Sequence, residues 1–179
     1  MVLDRDGTIN VEHHYLSSAD RLELLPNAAE GIVRFRELGL KVIIITNQSG
    51  VNRGYFDRST LREIHNRLKN LLALYGAKID GIYVCPHRPE EKCDCRKPKI
   101  ALLEKAAGKL GLKPADAFVI GDNTCDIEMG HRAGATTFLV TTGYGKRTLE
   151  EGKVKPHYIV SDLKEAAQII SQIISGQGG

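Results

Sequence analysis

Short apolar runs alternate with amphipathic segments along the chain. The apolar runs predict β-strands and the amphipathic segments predict helices. Strands that are apolar throughout and are joined by helices favour a parallel sheet covered by helices on both faces. The pattern therefore predicts a doubly wound α/β fold with a mostly parallel, Rossmann-like sheet. The predicted strands are residues 1–3, 41–46, 81–85, 117–121, 136–140 and 157–160, and the predicted helices are about 27–38, 58–75, 99–111, 124–133 and 162–174.

Local signals set the ends of several elements and of the domain. Asn27 and Asp162 are expected to cap the N-termini of two helices, and Leu-Gly-Leu at 38–40 is expected to end a helix. The chain contains no repeat, low-complexity tract or linker, so we expect a single domain over residues 1–175. The glycine-rich residues 176–179 are expected to form a disordered tail.

Composition and charge give no general case for binding nucleic acid or a membrane. The formal net charge is only +3, and no basic groove with interleaved aromatic residues is evident. No apolar run approaches the roughly 20 residues of a membrane helix, and the N-terminus lacks the pattern of a signal peptide. We therefore expect a cytoplasmic protein that binds neither nucleic acid nor membranes. We also expect a monomer.

Polar residues follow the ends of four predicted strands. These strands end at Asp4, Thr46, Cys85 and Asp122. In parallel α/β sheets, ligands bind outside the carboxyl ends of the strands. The side chains that could bind a ligand or take part in catalysis are therefore expected to converge on one edge of the sheet.

Two acidic residues, Asp4 and Asp6, follow the first strand in the run Val-Leu-Asp-Arg-Asp-Gly-Thr. A carboxylate at a strand end can attack phosphorus. Attack on a phosphate dianion needs a cation, commonly Mg²⁺ held by oxygen ligands, and an acid that protonates the leaving oxygen. Asp4 as nucleophile and Asp6 as acid fit this chemistry, and burial near Asp4 is expected to keep Asp6 protonated. An isolated Asp-x-Asp-Gly more often only ends a strand and begins a turn.

The second and third strands are followed by groups that suit a phosphate. Thr46 precedes Asn-Gln-Ser-Gly, where a hydroxyl and successive backbone N–H groups can hold phosphate oxygens, although an ordinary strand-to-loop cap explains it equally well. Arg96 and Lys97 precede Pro98, which is expected to open a helix. A cation there can neutralise a transferring phosphoryl group, but most Arg-Lys pairs are solvated surface.

The fourth strand ends at Asp122, which is the natural third contact for Mg²⁺. Asp126 follows within one helical turn of Asp122. It either orients the lysine or only caps a helix, and the sequence leaves both possibilities open.

These four stretches, in this order and at strand ends, resemble the haloacid dehalogenase-like (HAD) phosphatases over residues 1 to about 142. The resemblance implies that Asp4 is the nucleophile and that Asp6 is the acid/base, whose backbone carbonyl also binds Mg²⁺. It further implies that Thr46, Lys97 and Asp122 are the threonine, lysine and metal-binding aspartate of the later motifs. Lys99 is an alternative to Lys97, and the Arg-Lys-Pro context favours Lys97.

A cysteine-rich loop follows the third predicted strand. It places Cys85, His87, Cys93 and Cys95 within eleven residues, Cys-Pro-His-Arg-Pro-Glu-Glu-Lys-Cys-Asp-Cys. Three thiolates and one imidazole fill a tetrahedral Zn²⁺ shell with no open position, which is typical of a structural site. We therefore expect a structural zinc-binding loop beside the site, with free cysteines and a surface histidine as the alternative. Cys125 is expected to be buried packing.

The spacing between the motifs leaves no room for the separate cap domain that many HAD enzymes carry. The intervening segments are filled by predicted helices, strands and the zinc loop. Substrate choice is therefore expected to come from loops, chiefly residues 10–25, 47–56 and 86–96. An open site of this kind suits a substrate large enough to cover it.

The capless form with a Cys/His loop resembles a HAD subgroup that includes heptose-bisphosphate and histidinol-phosphate phosphatases. The loops after the first and second motifs resemble those of the heptose-bisphosphate enzymes, and this resemblance implies removal of the 7-phosphate of D-glycero-D-manno-heptose 1,7-bisphosphate. The short zinc loop also fits histidinol phosphate, which is the alternative, and a catalytically silent zinc-stabilised binding module is a third possibility. The resemblance implies that the substrate contacts are Glu12, His13, His14, Tyr15, Asn47, Gln48, Ser49, Arg53 and Arg96.

Overall fold

The described part of the chain is built on one sheet of six parallel strands. The computed structural model describes residues 1–176. The strand order is β3-β2-β1-β4-β5-β6, and every neighbouring pair is parallel. The chain moves from the central β1 to one edge, then returns to place β4 on the other side of β1, as predicted for a doubly wound sheet. The strands are β1 (Val2–Leu3), β2 (Ile43–Asn47), β3 (Gly81–Cys85), β4 (Phe118–Gly121), β5 (Thr136–Val140) and β6 (Tyr158–Val160).

Within residues 1–176, six α-helices connect and follow the strands. They are α1 (Ala28–Glu37), α2 (Arg58–Leu74), α3 (Ala101–Leu110), α4 (Thr124–Arg132), α5 (Gly145–Glu151) and α6 (Leu163–Gly176), with short 3₁₀ helices at 19–21, 89–91 and 114–116. The sequence did not predict α5, which has only seven residues and buries Gly145 and Thr148 rather than an apolar stripe. Helix α3 begins at Ala101, so Pro98 does not open it.

Two of the expected helix ends are confirmed and one is wrong. Asp162 Oδ1 accepts hydrogen bonds of 2.9 Å from the backbone N–H groups of Lys164 and Glu165, which caps α6. Gly39 ends α1 with a φ of +76°. Asn27 occupies the N-cap position of α1 with a φ of +63°, but its side chain makes no capping hydrogen bond. Its amide instead donates to Asp162 Oδ2 at 2.7 Å and joins the starts of α1 and α6.

The sheet has an apolar core on each face because strand residues alternate between the two faces. One core contains Leu3 and Ile44 together with buried residues of α1, α2 and α6. The other contains Val2 and Ile43 together with buried residues of α3 and α4. Val2 pairs with Ile43 and Leu3 with Ile44. The two residues of each pair therefore lie on the same face of the sheet and pack in the same core. This double coverage explains why the strands are apolar throughout.

The connections agree with the predicted absence of a cap. Between β1 and β2 the chain forms a 3₁₀ helix and α1, and between β2 and β3 it forms α2, so residues 1–176 contain no separate cap domain. Helix α6 includes Gly176, and the rest of the predicted tail, residues 177–179, lies outside the described residues. Among the helices of residues 1–176, none combines the length and the apolar character needed to cross a membrane.

Candidate active site

A polar cavity of about 620 Å³ opens at the carboxyl edge of the sheet. The strand ends and the loops after them bring the predicted catalytic side chains into its wall, namely Asp4, Asp6, Thr46, Lys97 and Asp122. Most of the predicted substrate contacts also line it: Glu12, His14, Tyr15, Asn47, Gln48, Ser49 and Arg96. The predicted catalytic side chains thus converge on the carboxyl edge of the sheet, as the strand-end rule predicts.

Two predicted substrate contacts, His13 and Arg53, are not among the residues that line the cavity. Arg53 Nη2 lies 3.7 Å from Glu90 Oε1 at the surface. The buried Nε2 of His13 has no hydrogen-bond partner in the part of the chain that the structure describes. Both were expected from the family resemblance alone, and adjacent side chains of an irregular loop need not face the same side.

Lys97 is held between the partly buried carboxylate of Asp4 and the buried carboxylate of Asp126. Its Nζ lies 2.7 Å from Asp4 Oδ1 and 2.6 Å from Asp126 Oδ1, and it donates to the Ile45 carbonyl at 2.8 Å. The Lys97 side chain is 2% exposed and that of Asp126 is 1% exposed. Lys99, the alternative, instead donates at the surface to the Cys93 carbonyl at 2.7 Å. The lysine that meets the carboxylates is thus Lys97.

Asp126 has both of the roles that the sequence left open. Its Oδ1 pairs with Lys97, and its Oδ2 accepts a hydrogen bond of 3.1 Å from the Asn123 backbone N–H. The second contact forms part of a capping box at the start of α4. Asp126 therefore ties the position of Lys97 to a helix end.

Asn47 supports the same lysine from the end of β2. Its Oδ1 accepts from the Lys97 backbone N–H at 3.1 Å, and its Nδ2 donates to the Lys97 carbonyl at 3.3 Å. The Asn47 amide is therefore occupied by the backbone of Lys97, although the sequence predicted a substrate contact.

The carboxylates of the site carry more negative charge than Lys97 can balance. Burial raises the pKa of Asp4 to about 7 and that of Asp122 to about 8. Burial also acts to lower the pKa of Lys97, but the attraction of Asp126 and Asp4 outweighs it and the pKa is raised. Oxygens of Asp4, Asp122 and Asp126 lie within 4.8 Å of one another. A cluster of hard oxygen donors with excess negative charge fits Mg²⁺.

Asp122 is fixed by the segment that follows β5. The Tyr144 backbone N–H donates to Asp122 Oδ2 at 2.7 Å, and the Thr148 hydroxyl donates to the Asp122 carbonyl at 2.8 Å. A Cβ atom on Gly7 or Gly143 would overlap Asp122 Oδ2, so both positions require glycine. The sequence analysis missed Gly143, Tyr144 and Thr148. The same strand-end rule, applied to the residues after β5, points to Gly143 and Tyr144.

The carboxylate of Asp6 is turned toward Arg5, the residue between the two acids. Arg5 donates to Asp6 Oδ1 from Nε at 3.1 Å and to Oδ2 from Nη2 at 2.7 Å. Asn10 donates to Oδ1 at 2.9 Å, and Gln48 donates to Oδ2 at 2.8 Å and to Thr46 Oγ1 at 2.8 Å. Burial acts to raise the pKa of Asp6, but the charge of Arg5 and these hydrogen bonds outweigh it and lower the pKa. The expectation that Asp6 is protonated in the resting site is therefore wrong.

The Cys/His loop brings its four predicted ligand atoms together. Sγ of Cys85 lies 3.5 Å from Sγ of Cys93, and Nδ1 of His87 lies 3.2 Å from Sγ of Cys95. Zn–S bonds of about 2.3 Å in a tetrahedron place sulfur atoms ~3.7 Å apart, which is close to these separations. All three cysteines are free thiols. The donor set thus fits Zn²⁺, and Arg96 Nη1 donates to the His87 carbonyl at 3.1 Å, which joins the loop to the cavity.

Cys125 differs from the expectation of buried packing. It is half-buried in the first turn of α4 and lines the cavity. Burial raises the pKa of its thiol. Cys125 follows a strand-to-helix junction, which places it at the carboxyl edge of the sheet. Its neutral thiol therefore forms an uncharged part of the cavity wall.

Comparison with known proteins assigns the family. A family model described as HAD-hydrolase-like matches residues 94–166. A D-glycero-β-D-manno-heptose-1,7-bisphosphate 7-phosphatase of Pseudomonas putida is 37% identical over 169 residues, which cover 94% of this chain and 97% of that protein. The chain belongs to the HAD-like phosphatases. A phosphatase of the same description from Pseudomonas aeruginosa is 36% identical to this phosphatase, over 96% of this chain and 97% of the relative.

A solved structure supports the same family and the fit to magnesium. The D,D-heptose 1,7-bisphosphate phosphatase from B. bronchiseptica, complexed with magnesium and phosphate, is 34% identical and superposes with a TM-score of 0.91. The match covers 97% of this phosphatase and 98% of that chain. Magnesium dependence of this phosphatase therefore agrees with both its donor set and its relative.

Proposed function

We propose that this phosphatase removes the 7-phosphate of D-glycero-D-manno-heptose 1,7-bisphosphate through a phosphorylated Asp4. The observation that carries the proposal is the contact of Lys97 with Asp4 at 2.7 Å, in a chain that matches phosphatases of this description over nearly its whole length. Lys97 holds the carboxylate that attacks and lies where charge develops on the transferring group.

Asp4 and Asp6 divide the chemistry of two steps. An Asp4 oxygen forms a bond to phosphorus as the bond to the sugar oxygen breaks, and Asp6 supplies a proton to that oxygen. Asp6 then accepts a proton from the water that hydrolyses the aspartyl phosphate. Arg5 lowers the pKa of Asp6 in the resting site, so Asp6 is without a proton there. A negatively charged phosphate that binds nearby raises the pKa of Asp6, so Asp6 gains its proton when the substrate binds.

Asp4 and Asp122, with the main-chain carbonyl of Asp6, would hold the magnesium ion. The ion supplies positive charge that offsets the repulsion between the carboxylates and the phosphate dianion. The chain's own contribution is to fix its ligands: Lys97 holds Asp4, and the Tyr144 backbone N–H holds Asp122. Thr46, buried at the end of β2, contributes a hydroxyl to the phosphate site.

We propose a structural Zn²⁺ bound by Cys85, His87, Cys93 and Cys95. The four ligand atoms would complete a closed shell around the ion and leave no position for substrate. Zinc would act on catalysis only indirectly, by stabilising a loop that continues into Arg96 and Lys97. Removal of zinc would therefore disturb the site through the backbone.

The sugar is expected to contact loop residues around the cavity. Glu12, His14 and Tyr15 come from the loop after β1, Ser49 from the loop after β2, and Arg96 from the zinc loop. His14 Nδ1 lies 3.3 Å from the Tyr144 hydroxyl, so the loops after β1 and β5 meet at the rim. The monomeric state, the cytoplasmic location and the absence of nucleic-acid and membrane partners stay predictions from the sequence.

Kinetics on two substrates test the proposal. We expect a higher kcat/KM for heptose 1,7-bisphosphate than for histidinol phosphate, and the product should keep its 1-phosphate. Asp4→Asn serves as the inactive control. A higher kcat/KM for histidinol phosphate would overturn the substrate, and release of phosphate from neither compound by the wild-type enzyme with Mg²⁺ would overturn the function.

A further inference from the structure

Arg5 is a completely buried cation that lies beside Asp6 but does not line the cavity. Its exposed fraction is 0%, although arginine is almost never fully buried unless it is paired. Its guanidinium reaches both oxygens of Asp6, with the shortest contact 2.7 Å from Nη2 to Oδ2. Such two-pronged pairing fixes the orientation of a carboxylate as well as its position.

The far side of the guanidinium contacts a histidine from another element. Arg5 Nη1 lies 3.2 Å from His65 Nε2, in the middle of α2. Arginine has only donors, so His65 Nε2 accepts and the imidazole is neutral, with its proton on Nδ1. Burial, followed by the charge of Arg5, lowers the pKa of His65 to about 3, in agreement with the neutral form.

We propose that Arg5 and His65 are positioning residues for Asp6: His65 holds the guanidinium of Arg5, and Arg5 holds the carboxylate that exchanges the proton. This inference rests on the proposed role of Asp6. It extends the site from the sheet edge to α2, an element that contributes no side chain to the wall of the cavity. A helix that covers the sheet would thus set the direction of the acid/base.

The side chain and backbone of Arg5 have separable effects. The Arg5 carbonyl accepts from the backbone N–H groups of Ile9 at 2.8 Å and Asn10 at 3.1 Å, which shapes the turn after β1. Substitutions of the Arg5 or His65 side chain leave these backbone bonds available. A loss of activity in such variants can therefore be traced to the orientation of Asp6.

The leaving group provides the test. A sugar alkoxide needs a proton from Asp6 as it departs, whereas 4-nitrophenolate is a much weaker base and leaves without one. The value of kcat/KM reports the steps through transfer of the phosphoryl group to Asp4. We expect His65→Leu to lower kcat/KM for a sugar phosphate by about tenfold or more, which is part of the ~10²–10⁴-fold that general acid–base catalysis contributes. The same variant should lower kcat/KM for 4-nitrophenyl phosphate by less than about threefold.

Two matched variants and one control complete the experiment. His65→Gln keeps an acceptor at similar reach and should restore most of the activity on the sugar phosphate. Arg5→Lys keeps the buried charge but loses the two-pronged contact, so it should show the same substrate-dependent loss even if His65→Leu does not fold. Asn66→Ala, at an exposed neighbouring position of α2, should match the wild type.

The outcomes distinguish the inference from the function on which it rests. Equal losses on both substrates, or no loss on either, in folded Arg5→Lys or His65→Leu would overturn the positioning role. Melting temperatures close to that of the wild type establish that a variant is folded. A wild-type enzyme that releases no phosphate from either substrate would instead overturn the proposed function.

Discussion

Replacing Lys97 by methionine tests whether one buried ammonium group balances the carboxylates of the site. Lys97 Nζ lies 2.7 Å from Asp4 and 2.6 Å from Asp126, and the exposed fractions of the three side chains are 2%, 14% and 1%. Methionine is unbranched and flexible, so it can fill the space of the lysine stem while carrying no charge. The variant therefore removes the cation and keeps most of the packing.

The expected loss of stability depends on pH. Removing one partner of a buried ion pair costs about 3–5 kcal/mol, because the remaining charge is uncompensated. The pKa of Asp4, about 7 with Lys97 present, rises further without it. A carboxyl group whose pKa is higher in the folded than in the unfolded protein destabilises the fold as pH rises through its folded pKa. We therefore expect a larger loss near pH ~8.5 than near pH ~5.5, where a proton on Asp4 removes part of the uncompensated charge.

Urea unfolding of protein prepared without added Mg²⁺, and without a chelator so that the proposed zinc stays bound, measures the free energy of unfolding at both pH values. Lys105→Met, at an exposed position of α3, is the control and should change stability by less than about 0.5 kcal/mol. With Mg²⁺ present, Lys97→Met should lower kcat by about 10²–10³-fold through lost stabilisation of developing charge. The same stability loss at both pH values, or a kcat close to that of the wild type, would contradict the reasoning.

Three further expectations follow from the same contacts. Wild-type protein should contain one zinc per chain by elemental analysis, whereas Cys93→Ser should contain less and melt at a lower temperature; a zinc-free wild type would contradict the zinc site. Gly143→Ala should destabilise the protein by about 1–3 kcal/mol and raise the Mg²⁺ concentration needed for activity, because its Cβ would overlap Asp122. The control Gly152→Ala places its Cβ in open space and should keep normal magnesium activation. Magnesium should raise the melting temperature more at high than at low pH. The raised pKa values of Asp4 and Asp122 make the magnesium-free fold lose stability as pH rises through about 7 to 8. An equal increase in melting temperature at high and low pH would contradict this expectation.

The fold was predictable because its signals are local and repeated. Each strand is a short run of apolar residues, and each of the longer helices has an amphipathic pattern, so the sequence placed six strands and five helices in the correct order. Helix α5 could not be found in this way, because its one large apolar residue, Leu149, is 44% exposed. The capping role of Asn27 also failed, since a positive φ is not evident from residue type alone.

The site was predictable where a residue follows a strand directly. Asp4, Thr46 and Asp122 were found from strand ends, which a parallel sheet brings to one edge. The interactions of Asp6 were not, because they depend on where Arg5 and His65 fold in three dimensions. Contacts that join β1 to α2 leave no periodic signal in the sequence.

The electrostatics of the two neighbouring acids explain why substrate and metal are both needed. Burial raises the pKa of Asp4 to about 7, whereas Arg5 and its neighbouring donors outweigh burial and lower that of Asp6. A nucleophile must be ionised and an acid must be protonated, so the resting site has the two protonation preferences reversed. A divalent cation near Asp4 and Asp122 would lower the pKa of Asp4, and a bound phosphate dianion would raise that of Asp6. Binding of both ligands would therefore shift the pair toward the protonation states that the reaction needs.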